Sequence, residues 1–146
     1  MKKIILSLSL LLTTGVSVVL AAAEPKTDPR VQELFKKEFA GAESVQWSTI
    51  GDYEKVSFVL GGHRAEAYFT SEGELAGSVR DLFYDQLPLA VMKAVDNRFE
   101  GAGILDVREI ANSEGTSYKL IIEKKNKKYN LSLSSNGDFI EKRQIR

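Results

Sequence analysis

"AYFTSEGELAG", residues 67–77, and "LSLSSNGDFIE", residues 131–141, have the same outline. Each is an alternating strand, a short turn closing on Gly73 or Gly137, and the start of a second strand. Asn136-Gly137 is among the strongest short hairpin signals, because both residue types tolerate positive φ. The likeness extends beyond the two hairpins. With Lys55 set against Lys119, Val56, Phe58, Ala67 and Phe69 fall on Leu120, Ile122, Leu131 and Leu133. Upstream, Phe39-Ala40-Gly41-Ala42 falls on Phe99-Glu100-Gly101-Ala102. The spacing predicts an internal repeat.

Each predicted repeat opens with a helix. Asp28 suits the N-cap and Pro29 the N1 position, Val31, Leu34, Phe35 and Phe39 follow at helical spacing, and Gly41 ends the run. Pro88 suits N1 of the second helix, whose stripe is Val91, Ala94, Val95 and Phe99, ending at Gly101. Strands of period two come next. The inward set is Val45/Trp47, Val56/Phe58/Leu60, Ala65/Ala67/Phe69 and Leu75/Val79, then Leu105/Val107, Tyr118/Leu120/Ile122, Tyr129/Leu131/Leu133 and Phe139. One apolar and one polar face is the pattern of an antiparallel sheet covered on one side. The expected fold class is α+β: two tandem helix-plus-four-strand repeats forming an antiparallel sheet with both helices on one face. The expected boundaries are a signal peptide over 1–23, a first repeat over 24–84 and a second over 85–146.

The signal peptide is read from Lys2-Lys3, the apolar run Ile4 to Leu20 and the small-residue site Ala21-Ala22-Ala23. Cleavage there leaves 123 residues with a net charge of −2, which argues against nucleic-acid binding. Residues 24–100 carry −5 and residues 101–146 carry +3. The chain has no cysteine, so no disulfide staples it, and thiolate chemistry and thiolate metal sites are excluded.

Several residues carry a resemblance to a known group. Val45-x-Trp47, Tyr53-x-x-Val56-x-Phe58, Ala67-Tyr68-Phe69-x-x-x-Gly73-Glu74-Leu75 and Leu87-Pro88-x-x-Val91 resemble the PepSY-like family of exported bacterial proteins, which is similar to β-lactamase inhibitor proteins. The resemblance runs from about Val31 to Ile140. It implies two helix-plus-four-strand units in one continuous antiparallel sheet, with a curved open face that in true inhibitors grips the enzyme. Those inhibitors carry disulfides and this chain has none, so no inhibitory residue is transferred.

Catalytic chemistry is not indicated. His63 is the only histidine, follows Gly61-Gly62, and reads as an exposed turn residue. Glu72 and Glu74 flank a turn, and Asp106 and Glu109 share a strand; neither pair is placed to converge on a cleft. No catalytic residue, metal ligand or cofactor is expected. Lys124-Lys125-x-Lys127-Lys128 reads first as a solvated hairpin tip whose lysines discourage edge-to-edge sheet pairing, with docking of an acidic surface or a phosphate-rich envelope polymer as the alternative. Strand parity places Tyr53, Tyr68, Arg80, Arg108 and Lys142 on the open face as candidate binding residues, since Tyr and Arg most often anchor interfaces. The expected function is a non-enzymatic, periplasmic or secreted protein-binding module, inhibitor-like in its use of the open face. The alternative is a small-ligand carrier or envelope sensor. The expected partner is an unidentified periplasmic protein or peptide, with no nucleic acid and, once the signal is removed, no membrane.

Overall fold

A computed structural model describes residues 27–145. The expected signal peptide, residues 1–23, lies outside the described residues. Helix α1 spans Pro29–Glu38: the Asp28 carboxylate accepts from the Arg30 N–H at 2.8 Å, and Pro29 occupies the first turn. Capping satisfies one of the N–H groups that a helix start leaves without a partner. Lys36 and Lys37 lie in its last turn, where cations suit the helix dipole. Helix α2 spans Leu89–Phe99, with Pro88 at the N-cap rather than at N1. No described helix is long and apolar enough to cross a membrane.

The strands are β1 (Glu43–Ile50), β2 (Tyr53–Leu60), β3 (His63–Phe69), β4 (Leu75–Asp81), β5 (Gly103–Asn112), β6 (Gly115–Lys124), β7 (Lys127–Ser134) and β8 (Phe139–Ile145). A single 3-10 turn, Tyr84–Gln86, precedes α2. All the strands form one antiparallel sheet in chain order, from β1 at one edge to β8 at the other. This corrects the expected fold class. Two tandem helix-plus-four-strand repeats with both helices on one face do not describe the molecule; the described residues form one eight-stranded sheet, mostly strand, with only two α-helices among them. The reason lies in the middle of the sheet. β4 pairs with β5 from Gly77↔Asn112 to Asp81↔Arg108, so the ladder passes through the centre unbroken and neither strand is left as a free edge.

The core is built from two clusters on this sheet. Val31 and Phe35 of α1 meet Val56, Phe58, Ala65, Ala67 and Phe69. Phe35 is central, with ring centroids 5.5 Å from Phe39, 5.4 Å from Trp47 and 5.0 Å from Phe58. Val91, Val95 and Phe99 of α2 meet Val107, Leu120, Ile122, Leu131 and Leu133. Each fully buried side chain of this size contributes roughly 1.5–3 kcal/mol. With no disulfide, this burial holds the fold.

Four β-bulges alter the expected parity. In β1 the register shifts between Glu43 and Gln46, where Ser44 takes φ 54°; Val45 stays on the helix side with Trp47 but is left 39% exposed at the sheet edge. In β4, Tyr68 faces Gly77 while Phe69 faces Leu75, which leaves Ala76 as the extra residue. In β5 the extra residue is Leu105, half exposed at 50%. In β8 it is Ile140, exposed at 63%. The inward placement of Val79 and Leu105 is thereby corrected: Val79 pairs with Glu66 on the polar side, and Leu105 is the unpaired bulge residue.

Candidate functional site

The polar side of the sheet is defined by the residues that alternate with the buried ones. β3 presents Arg64, Glu66 and Tyr68 there, between the buried Ala65, Ala67 and Phe69. β2 presents Tyr53, Lys55, Ser57 and Val59. Across β4 and β5 the same side carries Val79 and Asp81, then Ile110, Arg108 and Asp106.

Two polar networks stand on this side. In the first, Asp81 bridges two guanidinium groups. One oxygen takes Arg64 at 3.0 Å, and the other lies 3.6 Å from Arg108. Arg108 also contacts Asp106 at 3.0 Å. Arg64, Asp81 and Arg108 rim a concavity of about 350 Å³ whose floor includes Ser57, Val59 and Val79. In the second network, Lys55 contacts Glu66 at 2.6 Å and the Tyr68 hydroxyl donates to Glu66 at 2.7 Å. The ammonium of Lys55 also lies 5.9 Å from the Tyr68 ring centroid. Burial alone would raise the Glu66 carboxyl, but Lys55 and the Tyr68 hydroxyl together hold it below the usual carboxylate range. Burial, aided by Glu66, pushes the Tyr68 hydroxyl above its ordinary value. Glu66 is thus an ionised anchor that orients a tyrosine, and it is poorly suited to act as a proton donor.

The five residues expected to form the site divide. Tyr53, Tyr68 and Arg108 share the polar side; Tyr53 stays exposed beside Ile50 at the β1–β2 hairpin. Arg80 and Lys142 do not share it. Arg80 pairs with the buried Ala65 and with Glu109, which puts it on the core side. There its guanidinium contacts Glu109 at 3.0 Å, and Glu109 also accepts from the Tyr118 hydroxyl at 3.2 Å. Lys142 pairs with buried Leu131, and its ammonium stands 5.2 Å from the Phe99 ring and 5.7 Å from the Tyr129 ring. The bulges at Ala76 and Ile140 are the cause, since one extra residue reverses every side chain beyond it. Arg64 shares its parity with Tyr68 and was legible from the strand pattern. Asp81 was not, because the bulge at Ala76 precedes it.

His63 is half-buried rather than exposed. Its Nε2 lies 3.3 Å from the Gln86 amide nitrogen, and the exposed Phe83 ring meets it edge-on at 5.2 Å. Among the described residues no three His, Cys, Asp or Glu side chains are grouped to hold a metal ion. The Tyr84 hydroxyl donates to Asp96 at 2.7 Å and lies 3.2 Å from the Met92 carbonyl, tying the link before α2 to that helix.

No family model and no curated protein matches the chain. Solved structures do match. A candidate periplasmic protein from Bacteroides eggerthii DSM 20697 has a TM-score of 0.72 and 23% identity, over 82% of this chain and 89% of that one. A BLIP-like protein from Bacteroides fragilis NCTC 9343 has a TM-score of 0.71 and 21% identity, over 81% and 86%. A DUF2874 family protein from Bacteroides uniformis ATCC 8492 has a TM-score of 0.72 and 21% identity, over 82% and 90%. At these identities the likeness is one of fold: the chain is similar to BLIP-like structures, and the PepSY-like resemblance finds no counterpart among them.

Proposed function

We propose that the chain is a non-enzymatic binding module, working in the periplasm or outside the cell, that docks a protein or peptide on the polar side of its sheet. The observation that carries this reading is the Arg64–Asp81–Arg108 network rimming the concavity over Val59 and Val79, with Asp106 holding Arg108 from outside it. Charged side chains held by one another lose less freedom when a partner arrives, so less of the interaction is spent on ordering them. Tyr68, fixed through Glu66, supplies a rigid aromatic surface of the kind that dominates interfaces. A floor of small and β-branched residues between charged walls suits a polar segment with both signs of charge. The fold likeness to a BLIP-like structure and to a candidate periplasmic one supports the same reading.

The test compares capture from an envelope extract. Tyr68→Ala with Arg108→Ala is expected to remove the partner held by the unaltered protein while the melting temperature stays nearly constant. Arg80→Ala, on the other side of the sheet, is the control and is expected to retain it. Capture that survives the double change, or that depends on Arg80 instead, refutes docking on the polar side.

A small-ligand carrier is favoured by one feature. Phe35, Phe39, Val45 and Trp47 line an open depression of about 280 Å³ between α1 and β1. That lies just below the roughly 300–1,000 Å³ of usual ligand sites, which ranks this reading second. Saturable quenching of Trp47 fluorescence by an apolar ligand is its test, and the absence of any such response removes it.

A further inference from the structure

The lysine-rich tip between β6 and β7 belongs to neither of these surfaces. Its expected role was to guard a sheet edge, but the edges are β1 and β8, and β6 and β7 are interior strands. The tip therefore protects no edge, and its charge needs another account. Lys125 and Asn126 close the turn with φ 51° and 58°, beneath the Lys124↔Lys127 pair. The tip comes against the end of α2. There Lys124, Lys125 and Lys127 join Arg98, Phe99 and Tyr129 around a depression of about 320 Å³. Lys142 stands over two of those rings, and the Arg98 guanidinium lies 4.9 Å from the Phe139 centroid.

None of these five cations has a carboxylate within ion-pair distance among the described residues. The other described arginines all do: Arg30, Arg64, Arg80, Arg108 and Arg143 each contact an Asp or Glu. Glu100 and Glu123 are close in sequence, yet neither lines the depression. The C-terminal end of α2 offsets part of the repulsion for Arg98 alone. Like charges gathered around one hollow repel each other and raise the local concentration of anions.

We propose that this depression is a binding site for a phosphate-bearing anion. A phosphate group is compact, carries more than one negative charge and offers several acceptor oxygens. It can meet lysine point charges and the arginine fork together. Carboxylates on a peptide are singly charged and spaced along a backbone, so fewer of them fit among cations gathered this closely. The site is independent of docking on the polar side.

In the test, the protein is titrated with pyrophosphate while the amide NMR signals are followed. In parallel it is sedimented with phosphatidylcholine vesicles with and without phosphatidylglycerol. Saturable shifts centred on Phe99, Lys125, Lys127 and Tyr129 are expected. Lys125→Gln with Lys127→Gln should weaken binding about tenfold, and added salt should weaken it further. Arg98→Gln gives a second variant away from the turn, with circular dichroism to confirm folding. Sedimentation only with phosphatidylglycerol identifies a lipid phosphate as the source, and pyrophosphate binding without it identifies a soluble phosphate ester. The proposal is overturned if neither probe binds, if both variants bind normally, or if a glutamate-rich peptide displaces pyrophosphate at lower concentration.

Discussion

Gly73 and Gly137 offer a matched pair of perturbations. Each closes the turn that leads into a strand, β4 or β8, and their φ values are +88° and +87°. An L side chain at either position therefore carries a similar backbone penalty, about 1 kcal/mol. The surroundings differ. A Cβ at Gly73 would meet only Val31 Cγ2, at an ordinary 3.7 Å. A Cβ at Gly137 would lie 2.5 Å from the Ala90 carbonyl oxygen and 2.9 Å from its carbon, in the first turn of α2. Helix backbone cannot swing aside as a side chain does. Either α2 moves off the sheet or the turn opens, and overpacking of this kind costs roughly 1–3 kcal/mol more. Gly73→Ala should thus cost about 1 kcal/mol and Gly137→Ala about 2–4 kcal/mol. For a domain of this size that corresponds to roughly 3–5 °C and 6–20 °C in melting temperature. Urea unfolding of both variants with a common slope measures the difference directly. Equal losses, or a milder loss at Gly137, would refute close packing of α2 on the β7–β8 turn.

Two further outcomes follow from the contacts. A double-mutant cycle on Arg80 and Glu109 should return a coupling of about 0.5–1 kcal/mol in thermal unfolding, as for a half-exposed pair; zero coupling would put Arg80 free in solvent. Burial, with a neighbouring carboxylate in each case, pushes Tyr68, Tyr84 and Tyr118 above their ordinary value, Tyr84 furthest. The folded state then holds those protons more tightly than the unfolded chain. The associated stability is complete below the ordinary tyrosine value of 10.0 and is lost as pH rises past it toward the folded values. Tyr84→Phe should cost about 1 kcal/mol at neutral pH through the lost bond to Asp96 and flatten the decline above pH 10. A melting curve whose alkaline fall is unchanged by Tyr84→Phe would contradict that assignment.

The local order of the chain was legible in its residues. Asp28-Pro29 starts α1, Gly41 and Gly101 follow the helices with positive φ, and Asn136-Gly137 turns β7 into β8. The buried apolar residues of β2, β3, β6 and β7 alternate, because the extra residue of each bulge sits in the neighbouring strand and not in these. Tyr68 was placed on the polar side for the same reason, and Arg108 because it lies past the β5 bulge, in step with the buried Val107. Alternation fails in β1, β4, β5 and β8, each of which carries the extra residue of a bulge. Arg80 and Lys142 lie beyond two of those bulges and so ended on the wrong side.

Period and turn chemistry belong to a few neighbouring residues, so the sequence alone decided which segments are helix, strand and turn, and which side of an unbroken strand is apolar. A bulge answers to the twist and register of a strand distant in the chain, and no local pattern records it. The β4–β5 pairing that makes one sheet, the Arg64–Asp81–Arg108 network, and the meeting of Arg98 with the lysine tip each join residues from separate elements. Only the folded chain brings them within reach, and for that reason the tertiary structure decided both candidate binding surfaces.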